Sequence, residues 1–360
     1  KTIMPGLVDC HVHLIGIGDG RKGDDLTQLP DEVLTLQAAM NARKHLYSGV
    51  TTVRDCGAKN RTTFMLRRAV EMGITPSPRL ILAGRPMAII GGHLSYFGIE
   101  ATGEVECRAA VRQLLKEGAD FIKVTATGGS TNTSFPTKAS FTLLEMQAMV
   151  DEAHKFGRHV AAHCASSDGM DVALSGGVDT IIHGYHINQD GLDEYRPDIT
   201  DRIVNQGVFV NPTLHQGMET VTVLEAKIEE SGLTSEEQAY LDKYHRSHDR
   251  RIEDMARMRT EGVEFVCGSD SAWAHYRMGA FQKEMAVHVE AGMSPMEAIV
   301  SATSDSARSC WVDGEVGSLE PGKLGDVIVV DGDPSQDIAA AMNVVDVFQG
   351  GRLIDRGNYI

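Results

Sequence analysis

His11 and His13 stand two positions apart after the apolar run at residues 6–10. In extended chain, residues i and i+2 point to the same side, so both imidazoles can reach one ion. Four more residues share their situation. Lys123 interrupts the apolar run 121–124, His163 closes 159–163, His183 closes 180–183, and Asp270 follows 264–268 and Ser269. A histidine alone at a strand end is usually a hydrogen-bonded core residue. Lysine in an apolar run is different, because burying an ammonium is costly unless it is neutralised or covalently modified. The whole set, in this order and at these places, predicts a metal site.

Groups scattered from position 11 to position 270 need a frame that gathers them. Eight apolar runs, at 6–10, 50–55, 79–83, 121–124, 159–163, 180–183, 208–212 and 264–268, alternate with segments such as 105–117 and 143–156 that are apolar at i, i+3 and i+4. Gly49, Gly118, Gly157, Gly177 and Gly207 mark turns where the helices would end. Eight strand–helix alternations predict an α/β fold, a (β/α)8 TIM barrel over residues 1–312, whose C-terminal strand ends carry the site. A doubly wound open sheet is the alternative, but no GxGxxG follows the first run. Residues 226–260 read as a charged, solvated helical excursion after the seventh strand. From 313 the texture changes: turns over 314–325, one strand at 326–331, then a hairpin around Gly350-Gly351. The tail 313–360 is too small for a core of its own, so it is expected to pack on the barrel or to complete a sheet begun elsewhere.

Composition narrows the class. The chain has 360 residues, 42% hydrophobic and 23% charged, which excludes collagen-like, disordered and disulfide-scaffold proteins. A formal charge of −16 disfavours nucleic acid and anionic lipid as partners. The six cysteines include no CxxC pair and read as buried, reduced thiols, which favours a cytoplasmic location. Residues 1–6 read as the edge of a strand rather than a leader, although a signal peptide removed upstream would leave no trace.

The run Pro5-Gly6-Leu7-Val8-Asp9-Cys10-His11-Val12-His13-Leu14 resembles the opening strand of the amidohydrolase superfamily, and the later lysine, histidines and aspartate fall in that superfamily's order and spacing. Residues 319–329 resemble the closing strand of its small β-sandwich, so the resemblance runs along essentially the whole chain. Members usually carry, before the first barrel strand, a segment that forms the other half of that sandwich; here it is expected to be absent. Residues 119–129 and 91–93 resemble the metal-dependent prolidase and Xaa-Arg/Lys carboxypeptidase branch. That resemblance implies two zinc ions, the first on His11, His13 and Asp270, the second on His163 and His183. It implies that Lys123, carbamylated by CO2, bridges them. The chemistry agrees: a neutral amine takes up CO2, and two dications stabilise the resulting anion.

The implied reaction is hydrolysis of an amide or peptide bond through a zinc-bridging hydroxide, releasing a C-terminal amino acid from a dipeptide or N-acyl amino acid. Asp270 would accept the proton and deliver it to the departing amine. His93, after the third strand, would hydrogen-bond the carbonyl oxygen. Tyr185 is a candidate for a substrate carboxylate, and Trp273 and Arg277, with His275 and Tyr276 beside them, for a clamp on the substrate. His186 and His215 are read as structural, and His45, His154, His245, His248 and His288 receive no function. One alternative is an amidase for an N-acyl aromatic amino acid such as ochratoxin. Others are a cyclic-amide hydrolase, whose relatives generally use one metal and lack the lysine, and a non-catalytic scaffold, which would be expected to have lost a ligand. A homo-oligomer is expected.

Overall fold

The apolar runs become strands in the computed structural model, which describes residues 1–357. In chain order these are β1 (Thr2–Pro5), β2 (Leu7–Val12), β3 (Val50–Asp55), β4 (Arg79–Leu82), β5 (Met87–Ala88), β6 (Ile99–Glu100), β7 (Ile122–Thr125), β8 (Val160–Cys164), β9 (Thr180–His183), β10 (Phe209–Asn211), β11 (Val327–Val330), β12 (Val344–Gln349) and β13 (Arg352–Leu353). β2, β3 and β4 form one parallel sheet, and a second runs in the order β10-β9-β8-β7-β5-β6, also parallel.

Period-2 alternation assigns the faces. Ile122, Val124, Val160, Ala162 and Ile181 pack outward on Val111, Leu114, Met146 and Met149 of the helices Gly103–Glu117 and Leu143–Lys155. Their neighbours Phe121, Ala161 and Ile182 face the other way and meet Cys10, Cys56, Ile81 and Val266 in a separate apolar cluster. Lys123 and His163 belong by parity to this second face, one pleat nearer the C-terminal strand ends. That is why an apolar strand delivers a lysine and a histidine to a common point.

The eighth expected strand, at 264–268, is not a regular strand. Instead the segment shares its bonds between two neighbours. Val210 N–H donates to Glu264 O and Val266 N–H to Val210 O, while Cys10 N–H donates to Cys267 O and Asp270 N–H to His11 O. Two local features displace the ladder. The Asn211 amide donates to the Val266 and Gly268 carbonyls at 3.3 and 3.1 Å. At Gly268 the chain runs so close to His11 that a Cβ would lie 2.8 Å from its backbone nitrogen, so only glycine fits.

The small sheet is antiparallel, in the order β1-β11-β12-β13. The tail completes a sheet begun at the other end of the chain, because Thr2–Pro5 supplies a strand, paired from Thr2↔Val330 to Pro5↔Val327. The hairpin β12–β13 turns at Gly350-Gly351. Arg79 at the start of β4 holds Asp326 through two bonds of 2.9 and 3.1 Å, tying this sheet to the parallel one. The charged excursion forms the helices Met218–Glu230 and Ser235–Thr260. It is more than a solvated face: Leu241, Tyr244, Met255 and Met258 are buried. All six cysteines are unpaired and buried. Among the described residues, no helix is long and apolar enough to cross a membrane.

Candidate metal centre and active site

His11 lies next to the last residue of β2 and His13 just past its end, and their Nε2 atoms lie 3.3 Å apart. Asp270 Oδ1 is 3.4 Å from the first and 3.5 Å from the second, a spacing that could hold one metal ion. From the ends of β8 and β9, His163 Nδ1 and His183 Nε2 face each other at 2.9 Å. Lys123 Nζ, 1% exposed, lies 3.5 Å from His11 Nε2, and the His11 and His183 rings are 6.0 Å apart. All six residues expected to ligate metal therefore gather in one place.

The outer nitrogens of these rings are already engaged. His13 Nδ1–H donates to Gly57 O at 2.9 Å and His163 Nε2–H to Gly128 O at 3.1 Å. His11 Nδ1–H donates to Asn211 Oδ1 at 3.1 Å, and the Asn211 amide cannot flip because its nitrogen serves two carbonyls. His183 Nδ1 meets Thr213 Oγ1 at 2.6 Å. Carbonyl acceptors fix the proton on the outer nitrogen of His11, His13 and His163, so the lone pairs of these three rings point into the centre. The His11 and His13 lone pairs, 3.3 Å apart, repel when bare; a cation between them turns the same arrangement into a ligand shell. The donor set of imidazoles, a carboxylate and an amine suits a divalent transition metal.

Electrostatics point the same way. Burial, then the nearby Lys123 charge, holds His13 down to about 3 and keeps His11 and His183 well below the ordinary imidazole value. Burial, then the His93 ring, does the same to His163. Neutral imidazoles are the ligating form. Burial lowers the Lys123 ammonium's pKa and pushes the Asp270 carboxyl up to about 7. Asp270 and His183 also take left-handed backbone angles, φ 54° and 67°, a conformation that costs non-glycine residues of order 1–3 kcal/mol and clusters at functional sites.

Four supporting residues escaped the sequence. Asp9 Oδ1 accepts the N–H groups of His11 and Ser269 at 3.1 and 3.0 Å, joining the backbones that carry His11 and Asp270. Its Oδ2 takes His45 Nε2–H at 2.9 Å, so His45 braces the centre from beneath. Asn211 and Thr213 orient ligand rings as described. An acid in the apolar run two positions before His11 was the one visible signal, while Asn211 and Thr213 carry none until the register of β10 is known.

Above the centre opens a cavity of about 650 Å³. His93 lines it, its ring 4.4 Å from that of His163 and its Nδ1 3.1 Å from Thr131 Oγ1. Gly129 runs beneath this ring; a Cβ there would meet it at 2.7 Å. Tyr185 and Trp273 line the cavity too, 5.4 Å from His183 and 5.1 Å from His13, ring to ring. Arg277 is not brought there: it is exposed, and its Nε reaches Gly18 O instead, because the loop after Asp270 turns that side chain outward. Among the cations that do line the cavity is Arg251, from the helix Ser235–Thr260. His186 takes the Arg196 N–H, His215 pairs with Glu219, and both sit as structural groups.

The sequence model described as the Amidohydrolase family matches residues 2–354. Ochratoxinase of Aspergillus niger is 26% identical over 390 aligned positions, covering 98% of this chain and 75% of that protein. Among solved structures, a Xaa-Pro dipeptidase with bound methionine superposes with TM-score 0.83 at 30% identity, covering 98% of this chain and 87% of its own. A prolidase in complex with N-methylphosphonate-L-proline gives TM-score 0.82 at 26% identity, covering 99% and 88%.

Proposed function

From the premise that the chain belongs to the amidohydrolase family, and so is a hydrolase acting on C–N bonds, we propose that it cleaves a dipeptide or N-acyl amino acid and releases the C-terminal amino acid. The observation that carries this reading is the ring of inward nitrogens of His11, His13, His163 and His183, closed by Asp270 and Lys123. We read the two parallel sheets as a (β/α)8 barrel over residues 1–312, with 313–360 adding to the small sheet. The bonds that segment 264–271 makes to both β10 and β2 support this, as does Asp120 N–H donating to Leu82 O between β4 and β7.

In this reading His11, His13 and Asp270 hold one divalent cation, zinc by its donor set, and His163 and His183 a second, with Lys123 as its carbamate between them. When bound, the two ions would supply an activated water, whose pKa such sites lower to about 7, and would polarise the substrate carbonyl. Asp270 takes the proton of the attacking water and passes it to the departing amine. His93 hydrogen-bonds the carbonyl oxygen as charge builds on it. Thr131 Oγ1 accepts the Leu94 N–H at 3.1 Å, and with its own proton donated to His93 Nδ1, the His93 Nε2–H is left for the substrate.

A second reading, an amidase for N-acyl aromatic amino acids, is favoured by the aromatic wall. Trp273 stacks with Phe97 at 6.4 Å, and Tyr96 lies 5.1 Å from Phe97. The test is the zinc- and bicarbonate-loaded protein against a panel of dipeptides and N-acyl amino acids, scored for the amino acid released. No release from any member by protein with full metal content would end the proposal.

A further inference from the structure

We propose that Arg251 grips the free carboxylate of the substrate's departing amino acid, and that Tyr185 acts as its positioning residue. This rests on the hydrolase reading above and names the residue that would select the substrate class. Arg251 comes from a helix that the sequence gives no reason to place at the site, yet it lines the cavity together with His183, Tyr185 and Lys123.

Its surroundings lack a counterion. Arg251 Cζ lies 3.8 Å from the centre of the Tyr185 ring, and its Nε is buried with no hydrogen-bond partner. Among the described residues, no carboxylate pairs with it. Its neighbours differ: Arg250 pairs with Glu253 and Asp254, and Arg257 with Glu261. Of the other cations that line the cavity, Arg21 already pairs with Asp19 at 2.7 Å, and Lys22 is exposed. A half-buried guanidinium without an anion, beside a cluster built to hold cations, is unfavourable alone. An anion placed between the two would relieve it. The planar fork of arginine suits a carboxylate bidentately, and the face of Tyr185 fixes the plane of the fork. In a chain of net charge −16, this side chain sets a local positive potential where the substrate enters.

The experiment compares an N-acyl amino acid with its C-terminal carboxamide, which lacks the charge but keeps the scissile bond. Wild type should favour the acid by about 10- to 100-fold in kcat/KM, the range expected for a hydrogen-bonded charge. In Arg251→Met that preference should fall to near one through a raised KM for the acid, with metal content equal to wild type as the control on folding. Arg251→Lys should recover part of the preference. Tyr185→Phe should keep the preference and Tyr185→Leu reduce it, as expected for a ring that orients rather than a hydroxyl that binds. Retention of the full preference by Arg251→Met overturns the proposal, and so does equal use of acid and carboxamide by wild type. Loss of the preference in Tyr185→Phe overturns the positioning role. If neither compound is hydrolysed, it is the parent reading that fails.

Discussion

Replacing Asn211 by alanine should loosen the metal centre without touching a ligand. Asn211 is fully buried and makes three bonds: Oδ1 accepts His11 Nδ1–H at 3.1 Å, and Nδ2 donates to the Val266 and Gly268 carbonyls at 3.3 and 3.1 Å. Alanine strands all three partners in a dry interior. Each orphaned group costs about 1–3 kcal/mol, so a loss of at least about 3 kcal/mol in unfolding free energy is expected. Freed from Oδ1, the His11 ring can rotate or change tautomer, and loss of such an outer partner typically costs 10- to 100-fold in metal affinity, about 1.4–2.7 kcal/mol. Denaturant titration reads the first quantity and competitive zinc titration the second. Asn211→Asp separates them: it restores the acceptor for His11 but not the two donors, so affinity should recover while stability should not. A folded Asn211→Ala protein that binds zinc as tightly as wild type would refute the orienting role.

The remaining expectations concern the centre itself. Lys123→Ala should lower zinc stoichiometry measured by atomic absorption, and turnover with it; full two-metal binding and activity in that variant rule out the bridging role. Asp270→Asn should keep most of the metal but lose about 100- to 10,000-fold in kcat, the range for a proton-transfer group, and a variant within tenfold of wild type overturns that assignment. His93→Ala should lower kcat by roughly 100-fold or more with metal content intact; zinc loss instead would mark His93 as structural. Chelation of the metals should lower the melting temperature, because ligand binding to the folded state alone stabilises it.

The sequence made the centre legible because its ligands sit at the ends of apolar strands, where a charged or ring nitrogen side chain stands out. His11, His13, Lys123, His163, His183 and Asp270 all showed that contrast. Parallel strands buried on both faces gave seven of the eight runs their places, while at 264–268 the Asn211 amide takes two carbonyls and Gly268 runs tight against His11, so the eighth is not regular. What stayed hidden depends on tertiary register. Arg251 lies on a charged helix that reads as solvated, and only its docking over the strand ends reveals which arginine faces the cavity. Arg277 had the better position in the chain, just past Asp270, but a loop residue's direction is set by turns that periodicity does not report. Thr2–Pro5 was too short to announce its pairing with a strand more than three hundred positions away.

The left-handed backbone at Asp270 and His183 sets durability against chemistry in this protein. Glycine would adopt φ 54° at position 270 without a steric penalty, and it would also remove a carboxyl that burial holds near 7. Asp270→Gly would therefore relieve local backbone strain but forfeit a metal ligand, and with it the stability that bound metal gives the fold. The same reasoning warns anyone engineering a tougher version to hold these two positions fixed and look for gains on the far side of the sheets.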